Sequence, residues 1–353
     1  MGGNALKNTT TRRLNRPEFE ATAKEVVRVL RECFPGTRVD TIPAYRAKAD
    51  FGDLDVLMET EGLNAGGGGE QLQALARERF YATDKYKNGN VLSFDYRATR
   101  EQTEPGFQVD VIHMAATSYD FALGYFSYND LGNLIGRTAH KAGFSFGHDG
   151  LWYVFRDGDY RFRDLLLTDQ FDSALEFLGY DPRVHAQGFD TLESIFQYVA
   201  GSKYFNRDIF LLENRNNVSR TRDRKRKTYT EFLKWCDANP QLPAFSYPED
   251  KTVWLPAAFE RYPQFRTAHA QAVEDLAKSR ALKERFNGGL VAGISGLEGK
   301  QLGELMRRLR ESFSDSEAMY QFFLTASEDQ VTEYVQNEQA KMAQAAAATD
   351  TAT

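Results

Sequence analysis

The residues with the clearest capacity for chemistry are Gly52-Asp53-Leu54-Asp55 and, further along, Asp110. The alternation from Asp53 onward reads as a strand with Leu54, Val56 and Met58 on the core face. Asp53 and Asp55 then project together from the opposite face, about 6 to 7 Å apart along the backbone. Two carboxylates so placed can converge on a divalent ion, and on a pair of ions if a third carboxylate arrives from a neighbouring strand. Asp110, in Gln108-Val109-Asp110-Val111-Ile112, offers that third group from a second predicted strand. Two ions about 4 Å apart activate an attacking hydroxyl and neutralise a leaving pyrophosphate. All-oxygen ligands of this kind suit Mg2+ or Mn2+.

The elements that must hold these residues can be read from periodicity and punctuation. A helix begins near Pro17, with Phe19, Ala23, Val26, Val27, Leu30 and Phe34 at helical spacing, and Pro35-Gly36 stops it. Residues 38–42 read as a strand, Asn64 to Gly69 as a flexible loop, and Gln71 to Phe80 as a short helix. Val91 to Tyr96 and Phe107 to Met114 read as strands, Leu131 to Ala142 as a helix, and Leu151 to Arg156 and Tyr160 to Arg163 as short strands. After Asp181-Pro182 the pattern becomes helical. Asp190-Thr191-Leu192-Glu193 and Ser314-Asp315-Ser316-Glu317 have the form of capping boxes. Residues 1–16 read as a loose basic lead-in and the Ala/Thr-rich end, 341–353, as unstructured.

A second feature is Arg215, Arg220, Arg222, Arg224, Lys225, Arg226 and Lys227: seven cations in 13 residues with one acid, Asp223. In a chain of net charge −6, with 44 basic and 50 acidic residues, this is a local electrostatic footprint rather than a general one. Tyr229, Phe232 and Trp235 follow it and offer faces on which bases can stack; the bland alternative is a solvated helix face. The five histidines share no ligand spacing. No Walker-type loop, dinucleotide glycine motif or nucleophile elbow is present. Two distant cysteines, Cys33 and Cys236, exclude a zinc cluster, a CxxC pair and a disulfide scaffold. With 353 residues, 42% of them hydrophobic, two domains fit and disorder does not. No apolar run approaches the roughly 20 residues of a membrane span. The amino terminus lacks a signal-peptide core and has Leu6 where myristoylation needs Ser or Thr. The expectation is a soluble, cytoplasmic protein with no membrane partner.

Arg46 through Met58 resembles the nucleotide-binding loop and strand of family X DNA polymerases, in the DNA polymerase beta superfamily of nucleotidyltransferases. Further stretches carry the same likeness in the same order. Residues 17–36 resemble the element that opens the family's palm, and Tyr125-Phe126-Ser127 its Tyr-Phe-Thr-Gly-Ser motif. Ala142-Gly143-Phe144 through Gly150-Leu151 and Leu178-Gly179-Tyr180 resemble its later runs, so the likeness covers roughly residues 17 to 185. It implies that Asp53, Asp55 and Asp110 hold two metal ions, with Asp110 nearest the attacking 3′-hydroxyl. It further implies that Arg46 contacts the triphosphate, that Gly52 and Lys48 belong to the nucleotide site, that Tyr125 and Phe126 line the sugar, and that Asn133 and Arg137 face the base or primer terminus.

Three departures stand out. The family's phosphate-cradling Gly-Ser is Ile42-Pro43 here, and proline has no N–H to offer, so phosphate binding would lean on Arg46 and Lys48. The Thr-Gly turn is Ser127-Tyr128, which removes a permissive glycine. The helix-hairpin-helix modules that precede the family's palm have no counterpart in the residues ahead of Pro17.

The expected architecture is α+β: a nucleotidyltransferase palm (17–117, a mixed sheet with flanking helices), a small thumb-like subdomain (118–185) and a helical carboxy-terminal domain (186–340). The expected reaction moves a nucleoside monophosphate from a nucleoside triphosphate to a hydroxyl, favouring the 3′ end of a nucleic acid held by the basic segment. Two rivals are transfer to a protein or small molecule, and a palm kept as an inactive binding module.

Overall fold

The computed structural model describes residues 3–59 and 68–350. Strand β1 (Leu14–Asn15) leads straight into helix α1 (Arg16–Cys33). Asn15 is the cap: its side chain accepts from the Glu18 amide at 3.1 Å, and Glu18 accepts from the Asn15 amide at 3.1 Å. Such a reciprocal cap contributes about 1 kcal/mol, and Pro17 sits where its missing N–H costs nothing.

Strands β2 (Val39–Thr41), β3 (Asp50–Phe51) and β4 (Asp53–Glu59) follow, then helix α2 (Gly68–Arg79) and strands β5 (Lys85–Asn88), β6 (Val91–Tyr96) and β7 (Phe107–Met114). Most of the glycine-rich loop expected at Asn64–Gly69 lies outside the described residues; its last two residues open α2. One five-stranded sheet has the order β2-β4-β7-β6-β5, with β4 and β7 parallel and the other pairs antiparallel.

Alternation decides what each face does. Leu54, Val56, Met58, Val109 and Val111 are buried with the α1 stripe and with Leu72 and Leu75 of α2. On the other face Leu57 and Ile112 pack with Tyr119 and Ala122 of helix α3 (Ala116–Phe126). Since Asp55 and Asp110 are two residues earlier on that same face, α3 covers the end of the strands beyond them and leaves the carboxylates outside the apolar cluster.

Helix α4 (Leu131–Lys141), strands β8 (Phe144–Gly147), β9 (Gly150–Asp157) and β10 (Tyr160–Thr168), and helices α5 (Phe171–Phe177), α6 (Pro182–Gln187) and α7 (Leu192–Ala200) come next. Then follow α8 (Asn217–Arg224), α9 (Lys227–Ala238), α10 (Leu255–Arg261), α11 (Pro263–Arg285), α12 (Gly288–Ser295), α13 (Gly299–Glu311), α14 (Ser316–Thr325) and α15 (Glu328–Asp350). The chain is therefore mixed α and β, as expected.

It divides differently from the expected boundaries. One compact unit comprises Met1–Val154 and Asp164–Arg266; the other comprises Phe155–Arg163 and Thr267–Thr353. The helical run after residue 186 is thus split near Arg266, and its earlier part belongs to the first unit, where its apolar faces are buried: Ile195, Phe196, Phe205, Phe210, Tyr229 and Phe232 are all at most 5% exposed. The second unit has its own core, built on Phe286, Val291, Leu305, Leu309, Phe323 and Val335.

Three local expectations are corrected. The segment 1–16 is not a loose lead: Leu6 and Leu14 are buried, and the Ala5 amide donates to Gln108 at 2.9 Å. The alanine-rich end is helical through Asp350, in keeping with the high helix propensity of Ala. The capping boxes also shift by one residue. Thr191 pairs with Ser194, and Asp315 accepts from the Ala318 amide, because consecutive Asp, Ser and Thr offer competing caps. Among the described residues no helix is long and apolar enough to cross a membrane.

Candidate functional site

The parallel register sets Asp55 beside Asp110 and Asp53 beside Gln108. One carboxylate oxygen from each of Asp53, Asp55 and Asp110 lies within 4.8 Å of the others, close enough to bind a metal ion. Gln108 Nε2 donates to both oxygens of Asp110, at 3.0 and 2.9 Å, and the Gly3 amide donates to Asp53 at 3.1 Å. Gln108 precedes Asp110 by two residues on one strand, so the period-two rule carries the signal that would have found it.

The cluster is electrostatically unbalanced. Burial, then the charges of Asp53 and Asp110, hold the Asp55 carboxyl well above the usual carboxylate range. Asp110 is pushed up to about 6 by burial and by Asp53, against hydrogen bonds from Ser93 and Gln108 that lower it. The Lys48 ammonium, 4.8 Å over the Phe51 ring, lies beside Asp53 and Asp55, yet burial still draws its pKa below the ordinary value.

A carboxyl whose folded pKa is raised stabilises the fold below its unfolded pKa and loses that contribution as pH rises through the folded value. The metal-free protein should therefore lose stability from this cluster as pH rises through about 6. A bound cation should restore it. We expect the rise in melting temperature on adding Mn2+ to be several-fold larger at pH 8 than at pH 5, read by scanning fluorimetry. An equal rise at both pH values would refute the ligand assignment.

The acids open into a cavity of about 370 Å³ whose lining includes Ile42, Pro43, Lys48, Asp53, Asp55, Phe126 and Asp130. From a distant part of the chain Lys225, Arg226, Lys227 and Thr228 line the same cavity. Gly52 lines a neighbouring one, which shares Lys48, Asp53 and Lys227 with it. So Asp53, Asp55 and Asp110 lie together, and Lys48, Gly52 and Phe126 line the cavities that Asp53 shares.

Others do not. Arg46 is absent from the cavity lining: Nη1 pairs with Asp190 at 2.7 Å, Nη2 donates to the Gln187 carbonyl, and its amide donates to the Phe189 carbonyl at 2.9 Å. Tyr125, Asn133 and Arg137 line a separate cavity of about 280 Å³. Arg137 is buried with two donors on the Ile209 carbonyl, at 3.2 and 2.8 Å, and its pKa is drawn down to about 10 by burial and by Arg215.

The turn that lost its glycine keeps a left-handed path. Tyr128 and Asn129 have φ of 62° and 65°, a conformation that costs a non-glycine residue roughly 1 to 2 kcal/mol. The Tyr128 amide donates to the Pro43 carbonyl at 2.7 Å and its ring meets Phe189 edge-on at 4.9 Å, contacts that offset the cost.

The basic segment does not behave as one surface. Arg215 is buried and paired with Asp223 at 2.8 Å, while Arg220 donates to the Arg215 carbonyl at 3.0 Å. Arg222 reaches Asp223 at 3.1 Å and Asn133 at 3.3 Å. Arg224 and Lys225 are exposed. Tyr229 and Phe232 are fully buried and offer no platform for bases, while Trp235, partly buried, stacks on Phe232 at 6.2 Å. No protein-family model matches the chain, and no curated protein does either.

Proposed function

We propose that this chain is a metal-dependent nucleotidyltransferase that moves a nucleoside monophosphate from a nucleoside triphosphate to a hydroxyl, with release of pyrophosphate. The observation that carries the reading is the Asp55–Asp110 register, which gathers three carboxylates around one point. The site chemistry fits Mg2+ or Mn2+: every donor is a carboxylate oxygen, and Asp55 and Asp110 are buried together at a cost that a cation relieves. Two such ions, when bound, supply charge neutralisation for the phosphates and a lowered pKa for the attacking hydroxyl.

The chain's own residues do the positioning. Asp53, Asp55 and Asp110 hold the metals, with Asp110 beside the attacking hydroxyl, as the family likeness implies. That oxygen forms a bond to the α-phosphorus, the bond from the α-phosphorus to the bridging oxygen breaks, and the hydroxyl proton leaves to solvent or carboxylate. Phe126 lines the cavity and would lie beside the nucleotide sugar, as the family likeness implies. The favoured acceptor is a nucleic-acid 3′ end. Transfer to a protein or small molecule is the second reading, favoured by the burial of Arg215, Tyr229 and Phe232, which removes much of the anticipated nucleic-acid grip.

The test is incubation with each labelled ribo- and deoxyribonucleoside triphosphate, Mg2+ or Mn2+, and single-stranded, primed and transfer-RNA acceptors. Label should move to an acceptor and fail to move with the Asp53→Asn/Asp55→Asn double variant. Absence of transfer to oligonucleotide, protein and small-molecule acceptors alike would sink the reading.

A further inference from the structure

The last three cations of the basic run line the cavity that holds Asp53 and Asp55, apart from Arg215 and Arg222, which line a separate one. Lys225 and Arg226 lie at the junction of α8 and α9, and Lys227 opens α9. Arg226 is its N-cap and supplies no side-chain cap, so the first-turn amides lack the partner that a capping oxygen would give. Thr228, in that turn, lines the cavity, is only 8% exposed, and its hydroxyl has no hydrogen-bond partner among the described residues. That hydroxyl is not cut off from solvent and stands open to the cavity it lines.

The Ile42-Pro43 stretch across the cavity offers phosphate no amide, which leaves Lys48 as the cation on that side. The Ile42 amide is spent on the Asp55 carbonyl at 3.0 Å, Pro43 has no N–H, and Arg46 is paired with Asp190. Within the cavity Arg226 is paired with Asp130, which leaves Lys225 exposed and Lys227 held only by Glu231 at 3.6 Å.

We propose that the amino-terminal turn of α9, with Lys225, Lys227 and Thr228, binds the β- and γ-phosphates of the nucleoside triphosphate. This rests on the nucleotidyltransferase reading and replaces the wall that Ile42-Pro43 disables. A helix N-terminus with flanking ammonium groups suits an anion whose charge is also shared by metals across the cavity. The competing occupant of the same chemistry is the phosphate backbone of a nucleic acid.

Calorimetry of the full chain with inorganic triphosphate and Mn2+ tests the proposal. Lys225→Ala/Lys227→Ala should weaken triphosphate binding about 30-fold and raise the KM for nucleotide in step. Thr228→Val should weaken it about fivefold, and Thr228→Ser should restore it. Affinity for a single-stranded oligonucleotide should stay within twofold. Failure of the wild-type chain to bind triphosphate, or triphosphate affinity unchanged in both variants, overturns the proposal. Loss of oligonucleotide affinity with an unchanged nucleotide KM also overturns it, by assigning the lysines to nucleic acid. Triphosphate binding that needs these residues, in a chain that transfers nothing, supports the phosphate site and refutes the proposed reaction; transfer with an unaltered nucleotide KM in the variants does the reverse.

Discussion

Asp110→Asn is expected to cut nucleotide transfer on the order of a thousandfold while making the metal-free protein more stable at pH 8. Both effects have one origin. Asp110 is held up to about 6 by burial and by Asp53, against 3.8 for the free side chain. At pH 8 the folded state therefore carries a charge that its surroundings resist, a cost on the order of 2 to 3 kcal/mol in the absence of metal. Asn removes that charge while keeping an oxygen for the Gln108 amide. The gain should shrink toward pH 5, where the wild-type carboxyl is already largely protonated, and the Mn2+-induced rise in melting temperature should fall away. Thermal melts at both pH values, with and without Mn2+, beside a single-turnover transfer assay, separate this outcome from a purely structural role. A metal-free variant less stable than wild type at pH 8, or activity retained within tenfold, would be incompatible with Asp110 as a metal ligand.

The second large effect lies outside the cavity of the acidic cluster. Asp223→Ala should destabilise the first unit by about 3 to 5 kcal/mol. Asp223 is fully buried and faces Arg215 at 2.8 Å and Arg222 at 3.1 Å. Without it the buried Arg215 guanidinium loses its counter-charge and is left near Arg137, whose pKa it already depresses. Replacing both partners, Arg215→Met with Asp223→Leu, should recover most of the loss, since no uncompensated charge then remains. Arg224→Ala, on an exposed side chain, should change stability by under about 0.5 kcal/mol. Urea denaturation monitored by tryptophan fluorescence is the measurement, and a loss below about 1 kcal/mol for Asp223→Ala would mean that the pair is not structural.

The contrast between these two clusters shows what was legible in the sequence. Strict alternation along β4 and β7 dictates which side chains share a face, so Asp53, Asp55 and Asp110 could be brought together before their parallel register was known. Helix α1, strands β4, β6, β7 and β9 and helix α4 were likewise readable, because their apolar spacing is local; helix α3 and strands β5 and β8 were not read from the sequence. A run of charges carries no such rule. Arg215 through Lys227 divide among a buried ion pair, exposed side chains and a cavity wall, according to tertiary neighbours that no spacing encodes. Arg46 is the sharpest case, since its partner Asp190 is 144 residues away. Leu6 and Leu14, single apolar residues in a polar stretch, gave no period to read, yet both are buried. The boundary near 186 marked a change of secondary structure and not of packing.

The acidic cluster draws its carboxylates from strands near residues 53 and 110, and the cavity beside it draws all its cations but Lys48 from residues 225–227. During synthesis from the amino terminus, the acidic half of the site is made first. It must wait for more than a hundred further residues before the basic half emerges. Until then the nascent sheet carries a cluster of like charges with Lys48 as its nearest resident cation. If the cluster holds a divalent ion as proposed, that ion would neutralise it during this interval, and the order of translation would then tie early folding to the ion of the finished site.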